Sequence, residues 1–175
     1  MADDDDNLSS YLDEFTPLVV IKHLNSTHDP IDAEIARYLE FYRPNIAFAS
    51  APPPPIEALG SMVKRIKQAR PKESTYVVVP PRRSDAVTWA FDFLMEIFAE
   101  LHAIICGKGK TPSKLGDKSQ AALTALAAVI VQHLGVSDTT ALGIAVLVLL
   151  SLGRATKKVF CKTTRPEDFK AYLGW

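Results

Sequence analysis

Residues 119–153 read SQAALTALAAVIVQHLGVSDTTALGIAVLVLLSLG, and their reading decides the fold. The first half carries apolar residues at helical spacing. Asp117 and Gln120 before it fit a capping box, and Gly135 suits its C-terminal stop. Val136, Ser137 and Asp138 form a turn, with Asp138 expected as the cap of the next helix. That helix, TTALGIAVLVLLSLG, is apolar all the way round, so it belongs at the centre of a bundle or in a membrane. The two apolar runs are about 14 and 15 residues long and each spans roughly 22 Å. A bilayer core is about 30 Å thick and needs around 20 residues. Length therefore favours a core hairpin over residues 119–161. Charge keeps a membrane-inserting hairpin as the alternative, because basic residues stand at both of its open ends. Gln132 and His133 argue mildly against insertion.

Working outward, SDAVTWAFDFLMEIFAELHAIIC (residues 84–106) reads as one long helix with Ser84 or Asp85 as its cap. Asp92, Glu96 and Glu100 recur every fourth residue and make one acidic, solvated stripe. Val87, Phe91, Phe93, Leu94, Ile97, Phe98, Leu101, Ile104 and Ile105 surround that stripe, so most of the circumference is expected to be buried. Leu147 and Leu150 of the apolar helix are expected to pack against its Phe91, Leu94 and Phe98. Upstream, DPIDAEIARYLEFY begins with Asp29 as cap and Pro30 at the first turn. PIEALGSMVKRIKQA shows an apolar face of Ile56, Leu59, Met62, Val63 and Ile66. TPLVVIKHL reads as a helix led by Thr16 and Pro17 or as a strand, since Val19, Val20 and Ile21 are β-branched. NIAFASA and TYVVVPP are the other strand candidates, giving a possible small sheet of residues 17–24, 45–50 and 75–79. The fold class expected is mainly α: a helical bundle with a C-terminal apolar hairpin, an α+β arrangement being the alternative. Residues 1–8 read as an acidic mobile tail. Residues 9–175 read as one globular domain, mixed in character over 9–82 and helical over 84–175.

The chain has 175 residues, 47% of them hydrophobic, enough for a sizeable core and too apolar for a disordered chain. Its net charge is zero but polarised: residues 1–106 carry 10 basic and 16 acidic side chains, residues 107–175 carry 10 and 4. The basic residues form two clusters. Lys108, Lys110, Lys114 and Lys118 precede the first hairpin helix; Arg154, Lys157, Lys158 and Lys162 follow the second, with Arg165 beyond. In an antiparallel hairpin both clusters meet at one end and make a cationic, partner-binding platform. Such a platform suits an acidic protein surface first, an anionic membrane second, and nucleic acid less well, because Phe160 is the lone aromatic there for base stacking. Cys106 and Cys161 read as buried thiols of a reducing, cytoplasmic environment. The acidic start MADDDDNLSS is unlike a secretory signal.

Catalytic readings find little support. IICGKGKT resembles a phosphate-binding loop in Gly107, Gly109, Lys110 and Thr111, but Ile104 stands where the loop needs its first glycine, and the run before it reads as helix. VVVPPRRSDAV resembles in outline the nucleophile segment of Clp-type serine peptidases. The glycines for an oxyanion hole are missing, with APPPP (residues 51–55) in their place, so Ser84 is read as a cap. His23, His28, His102 and His133 include no pair at metal-ligand spacing. No catalytic residue, metal site or cofactor is assigned. The expectation is a non-enzymatic interaction protein: an adaptor, regulatory subunit or inhibitor-type partner.

Overall fold

The computed structural model describes residues 12, 16–42, 55–69, 83–107, 115–153 and 155–173. Among them are eight helices and no strand: α1 Thr16–Ser26, α2 Pro30–Phe41, α3 Pro55–Ala69, α4 Arg83–Cys106, α5 Leu115–Leu134, α6 Asp138–Leu152, α7 Lys157–Lys162 and α8 Pro166–Leu173. The helical bundle expected from the sequence is the fold observed. Residues 17–24 are helical, so the strand reading of TPLVVIKHL is corrected. Helical spacing buries Val20, Ile21 and Leu24 together, which outweighs the β-branched preference of individual residues. Residues 45–50 and 75–79 lie outside the described residues.

Local chemistry sets the helix ends. The Asp29 carboxylate accepts from the Ile31 amide at 2.8 Å, and Pro30 follows at the first turn. Gly135 follows α5 with φ 64°, and its amide donates to the Val131 carbonyl. Three cap expectations are corrected. Ser137, not Asp138, caps α6 by accepting from the Thr140 amide, and Asp138 sits in the first turn, where its charge favours the helix dipole. α4 begins at Arg83, so Ser84 and Asp85 are inside it; α5 begins at Leu115, so Asp117 is inside it too.

α6 is the centre. Ten of its fifteen residues are buried, Leu147 completely, whereas Leu150 is only half-buried. Its main neighbours are α5, α3, α2 and α1. Of the pair expected to be buried against Phe91, Leu94 and Phe98, Leu150 is thus not enclosed; α4 lies mainly on α3 and α5, and meets α6 near Leu152. The chain turns through 111° between α5 and α6. That is short of an antiparallel reversal, and the two far helix ends splay on the order of 20 Å apart. No single described helix is long and apolar enough to cross a membrane.

Two glycines mark the tightest crossings. A Cβ at Gly60 of α3 would lie 1.6 Å from the Ala86 carbonyl oxygen of α4. A Cβ at Gly143 of α6 would meet Ile35 Cγ2 at 2.7 Å and a Leu24 methyl at 3.1 Å. Backbone cannot yield as side-chain tips do. Gly60→Ala is expected to cost about 3 kcal/mol or more and Gly143→Ala about 1 kcal/mol. Urea unfolding of the two variants tests the contrast, and equal costs would refute it.

On α2, burial raises the Tyr42 phenol well above the usual tyrosine range, with smaller contributions from Tyr38 and Glu57. An unfolded tyrosine ionises near pH 10. Tyr42 therefore contributes its full stabilisation below about pH 10 and loses it as pH rises further, because the unfolded chain releases a proton that the fold retains. Tyr42→Phe is expected to flatten the decline in melting temperature above about pH 10; an unchanged alkaline limb would contradict this.

Candidate functional site

Of the basic residues expected to form the platform, Lys157, Lys158 and Lys162 lie on α7, with Arg165 just beyond. Thr156 caps this helix by accepting from the Val159 amide, and Thr163 closes it through bonds to the Val159 and Phe160 carbonyls. Phe160 is fully buried, 5.5 Å from the Phe98 ring and 5.6 Å from the His102 ring of α4. With Phe160 pointing inward, Lys158 and Lys162, four residues apart, are exposed, and Lys157 is half-buried. Arg165 is exposed at the start of α8. None of these four cations pairs with a carboxylate among the described residues. Residues 154–165 hold five basic side chains and no acidic one.

A disulfide joins Cys106, the last residue of α4, to Cys161 in α7. This corrects the reading of both cysteines as free thiols. With only two cysteines the pairing has one solution, but nothing in the sequence shows that residues 55 apart are brought together. The ring nitrogen Nε2 of His102, one turn before Cys106, stands 3.3 Å from the Cys161 carbonyl oxygen. Alongside, Phe91, Leu94, Phe98, Leu101, Leu152 and Phe160 line a void of about 10 Å³, at most one water in size.

The sequence argument brought two cationic clusters together through an antiparallel hairpin. The 111° turn does not supply that geometry. The disulfide supplies a different one: it holds the end of α4, where the lysine-bearing connector starts, against α7. Lys108, Lys110, Lys114 and Arg154 lie outside the described residues, as does the side chain of Lys118 on α5. The run before Gly107 is helix, which is not how a phosphate-binding loop is entered.

No family model matches this chain, and no curated protein or solved structure does either.

A second concave feature lies at the opposite end of α5. Asp29, Ile31, Ile66, Ala69, Leu134–Ser137 and Thr140 line an open cleft of about 290 Å³. Behind it, Asp32 is 1% exposed. One of its oxygens accepts from the Thr140 hydroxyl at 2.5 Å, and the other lies 2.6 Å from the Thr27 hydroxyl. Ser137 completes the chain, 2.9 Å from Thr140. Asp29 and Ser137 are engaged as helix caps, so the polar groups at this cleft are turned to structure. Among the described residues, no three His, Cys, Asp or Glu side chains form a metal-sized cluster. The acidic stripe of α4 is exposed, as expected. Glu96 meets Lys67 at 2.9 Å and Glu100 meets His133 at 3.4 Å.

The Asp32 network predicts a large local effect. Asp32→Ala takes the acceptor from the buried Thr140 hydroxyl and unties Thr27 from α2, and is expected to cost about 1–3 kcal/mol. Chemical denaturation of the variant measures it, and a cost below about 0.5 kcal/mol, typical of surface changes, would remove the network from the fold's supports.

Proposed function

We propose that this chain is a non-enzymatic interaction protein, a regulatory or adaptor-type module, that docks an acidic protein surface on its C-terminal cationic face. The observation that carries the reading is the run 154–165, with five basic side chains, no acidic one, and Lys158, Lys162 and Arg165 exposed and unpaired among the described residues. Each exposed charge contributes little alone; several on one face add, and salt screens them. Buried Phe160 anchors the helix that presents them, so little ordering cost remains at binding.

The disulfide bears on where such docking takes place. Disulfides persist in oxidising compartments and are rare in the cytosol. In this proposal an oxidising compartment, rather than the cytoplasm, is the setting for docking, supported by the disulfide. The second reading, a membrane-active hairpin, draws on the apolarity of α5 and α6. It requires α6 to leave the centre of the bundle, where ten of its residues are buried.

A binding measurement separates the two. At low ionic strength the parent chain is expected to bind immobilised polyglutamate. Replacing Lys157, Lys158 and Lys162 together by Gln is expected to weaken that binding about tenfold or more, and raised salt to abolish it. Equal binding by parent and variant would end the docking reading. Flotation with anionic liposomes, unaccompanied by polyglutamate binding, would replace it with the membrane reading.

A further inference from the structure

We infer that the Cys106–Cys161 disulfide is a reducible latch on the C-terminal segment. A dithiol reductant opens it and releases α7 and α8, while α1–α6 stay folded. The inference deepens the docking proposal and rests on it for its consequence: the latched segment presents the cationic face, and the released segment does not.

Three observations carry it. First, among the described residues the segment holds to the rest of the chain through few points. α7 and α8 pack mainly on α4. The fixed points are buried Ala155 and Phe160, the His102 approach to the Cys161 carbonyl, and the disulfide itself. Secondly, α7 has six residues and α8 has eight, below the length at which a helix sustains itself in water. Each keeps its shape because it is held. Thirdly, the remaining core does not need the latch. α6 is enclosed by α1, α2, α3 and α5, and α3 packs along α4; neither α7 nor α8 belongs to these pairings, and both cysteines stand at the partly buried edge of the core. Local opening at low cost, with the rest of the fold intact, is expected of a segment with that distribution of contacts.

The chemistry balances with one co-reactant. A thiolate of the dithiol attacks one sulfur of the Cys106–Cys161 bond, forming a mixed disulfide and releasing the other cysteine as a thiol after protonation. The second thiol of the reductant then displaces the remaining cysteine. Two electrons and two protons pass to the protein, and the reductant leaves as a cyclic disulfide. Both cysteines are half-buried rather than enclosed, so the bond is within reach of a reductant.

Limited trypsin digestion of the full chain, with cleavage sites followed by mass spectrometry, tests the latch. Lys157, Lys158 and Lys162 place three cleavage sites in α7 (the Arg165–Pro166 bond resists trypsin), while exposed Lys22 and Arg37 report on α1 and α2. Dithiothreitol is expected to speed cleavage at the three α7 sites about tenfold or more and to leave Lys22 and Arg37 within about twofold. The double variant Cys106→Ala/Cys161→Ala is expected to digest at the reduced rate without reductant. Unchanged C-terminal cleavage on reduction would overturn the latch, and so would acceleration at all sites together, which means the bond supports the whole bundle. A parallel measurement uses polyglutamate at low salt, where the oxidised chain is expected to bind more tightly than the reduced. If the C-terminal sites open on reduction but the oxidised chain does not bind polyglutamate, the latch stands and the docking reading falls. If the oxidised chain binds but digestion ignores the reductant, the latch falls alone.

Discussion

α6 has no polar face to give to water, and a helix of that kind is stable only when enclosed on every side. The rest of the bundle answers this requirement. α1, α2, α3 and α5 form the enclosure, and each offers an apolar stripe of the width that one-sided burial needs. α3 shows this most clearly: Ile56, Leu59, Met62, Val63 and Ile66 are all buried, while Gln68 at its end is exposed. Enclosure also dictates the sizes of residues at the crossings. Gly143 lets α6 approach Leu24 of α1 and Ile35 of α2 together, and Gly60 lets α3 lie against the backbone of α4. Close packing of this sort leaves little room for volume changes in either direction.

The same requirement explains the buried polar group. The N-terminus of α6 has to enter the core while its first turn still has amide groups to satisfy. Ser137 meets one of them, and Thr140 donates a hydroxyl hydrogen bond to Asp32 of α2, which also faces Thr27 after α1. Three segments are thereby tied at a point where apolar packing alone would leave their register open. A network of this kind specifies an arrangement when every member is satisfied, and here each hydroxyl and both carboxylate oxygens have a partner.

Much of this was legible in the residues. Period-3.6 spacing located α2, α3, α4 and the two apolar helices, and Asp29–Pro30 marked a helix start to the residue. Spacing gave less where it competes with a second pattern. Val19–Val20–Ile21 satisfies a strand's composition and a helix's periodicity, and only the burial of Val20, Ile21 and Leu24 on one face decides between them. Caps shifted for a related reason: Ser137 and Asp138 are both good capping residues in adjacent positions, so the sequence ranks them about equally. Partners in the core were not legible at all. That Leu147 is buried follows from its neighbours in sequence; that α6 as a whole faces α1, α2, α3 and α5 more than α4 goes with the 111° turn, which Val136–Asp138 does not encode in any simple pattern.

The candidate site shows the same division more sharply. Its charges are plain in the sequence, since residues 154–165 hold five basic side chains and no acidic one, but the means of holding them in place is not. An antiparallel hairpin is the commonest arrangement for two helices joined by a short turn, and it would have gathered the lysines at the open end without further help. The wider crossing removes that help, because helices that diverge carry their ends apart. A covalent tie between α4 and α7 does the work instead, aided by Phe160 in the pocket formed with Phe98 and His102. Six residues of helix bearing three lysines repel one another and have no intrinsic reason to stay ordered. The orientation of the cationic face thus depends on one aromatic side chain turned inward, Phe160, and one bond at Cys161, a turn on from Lys157.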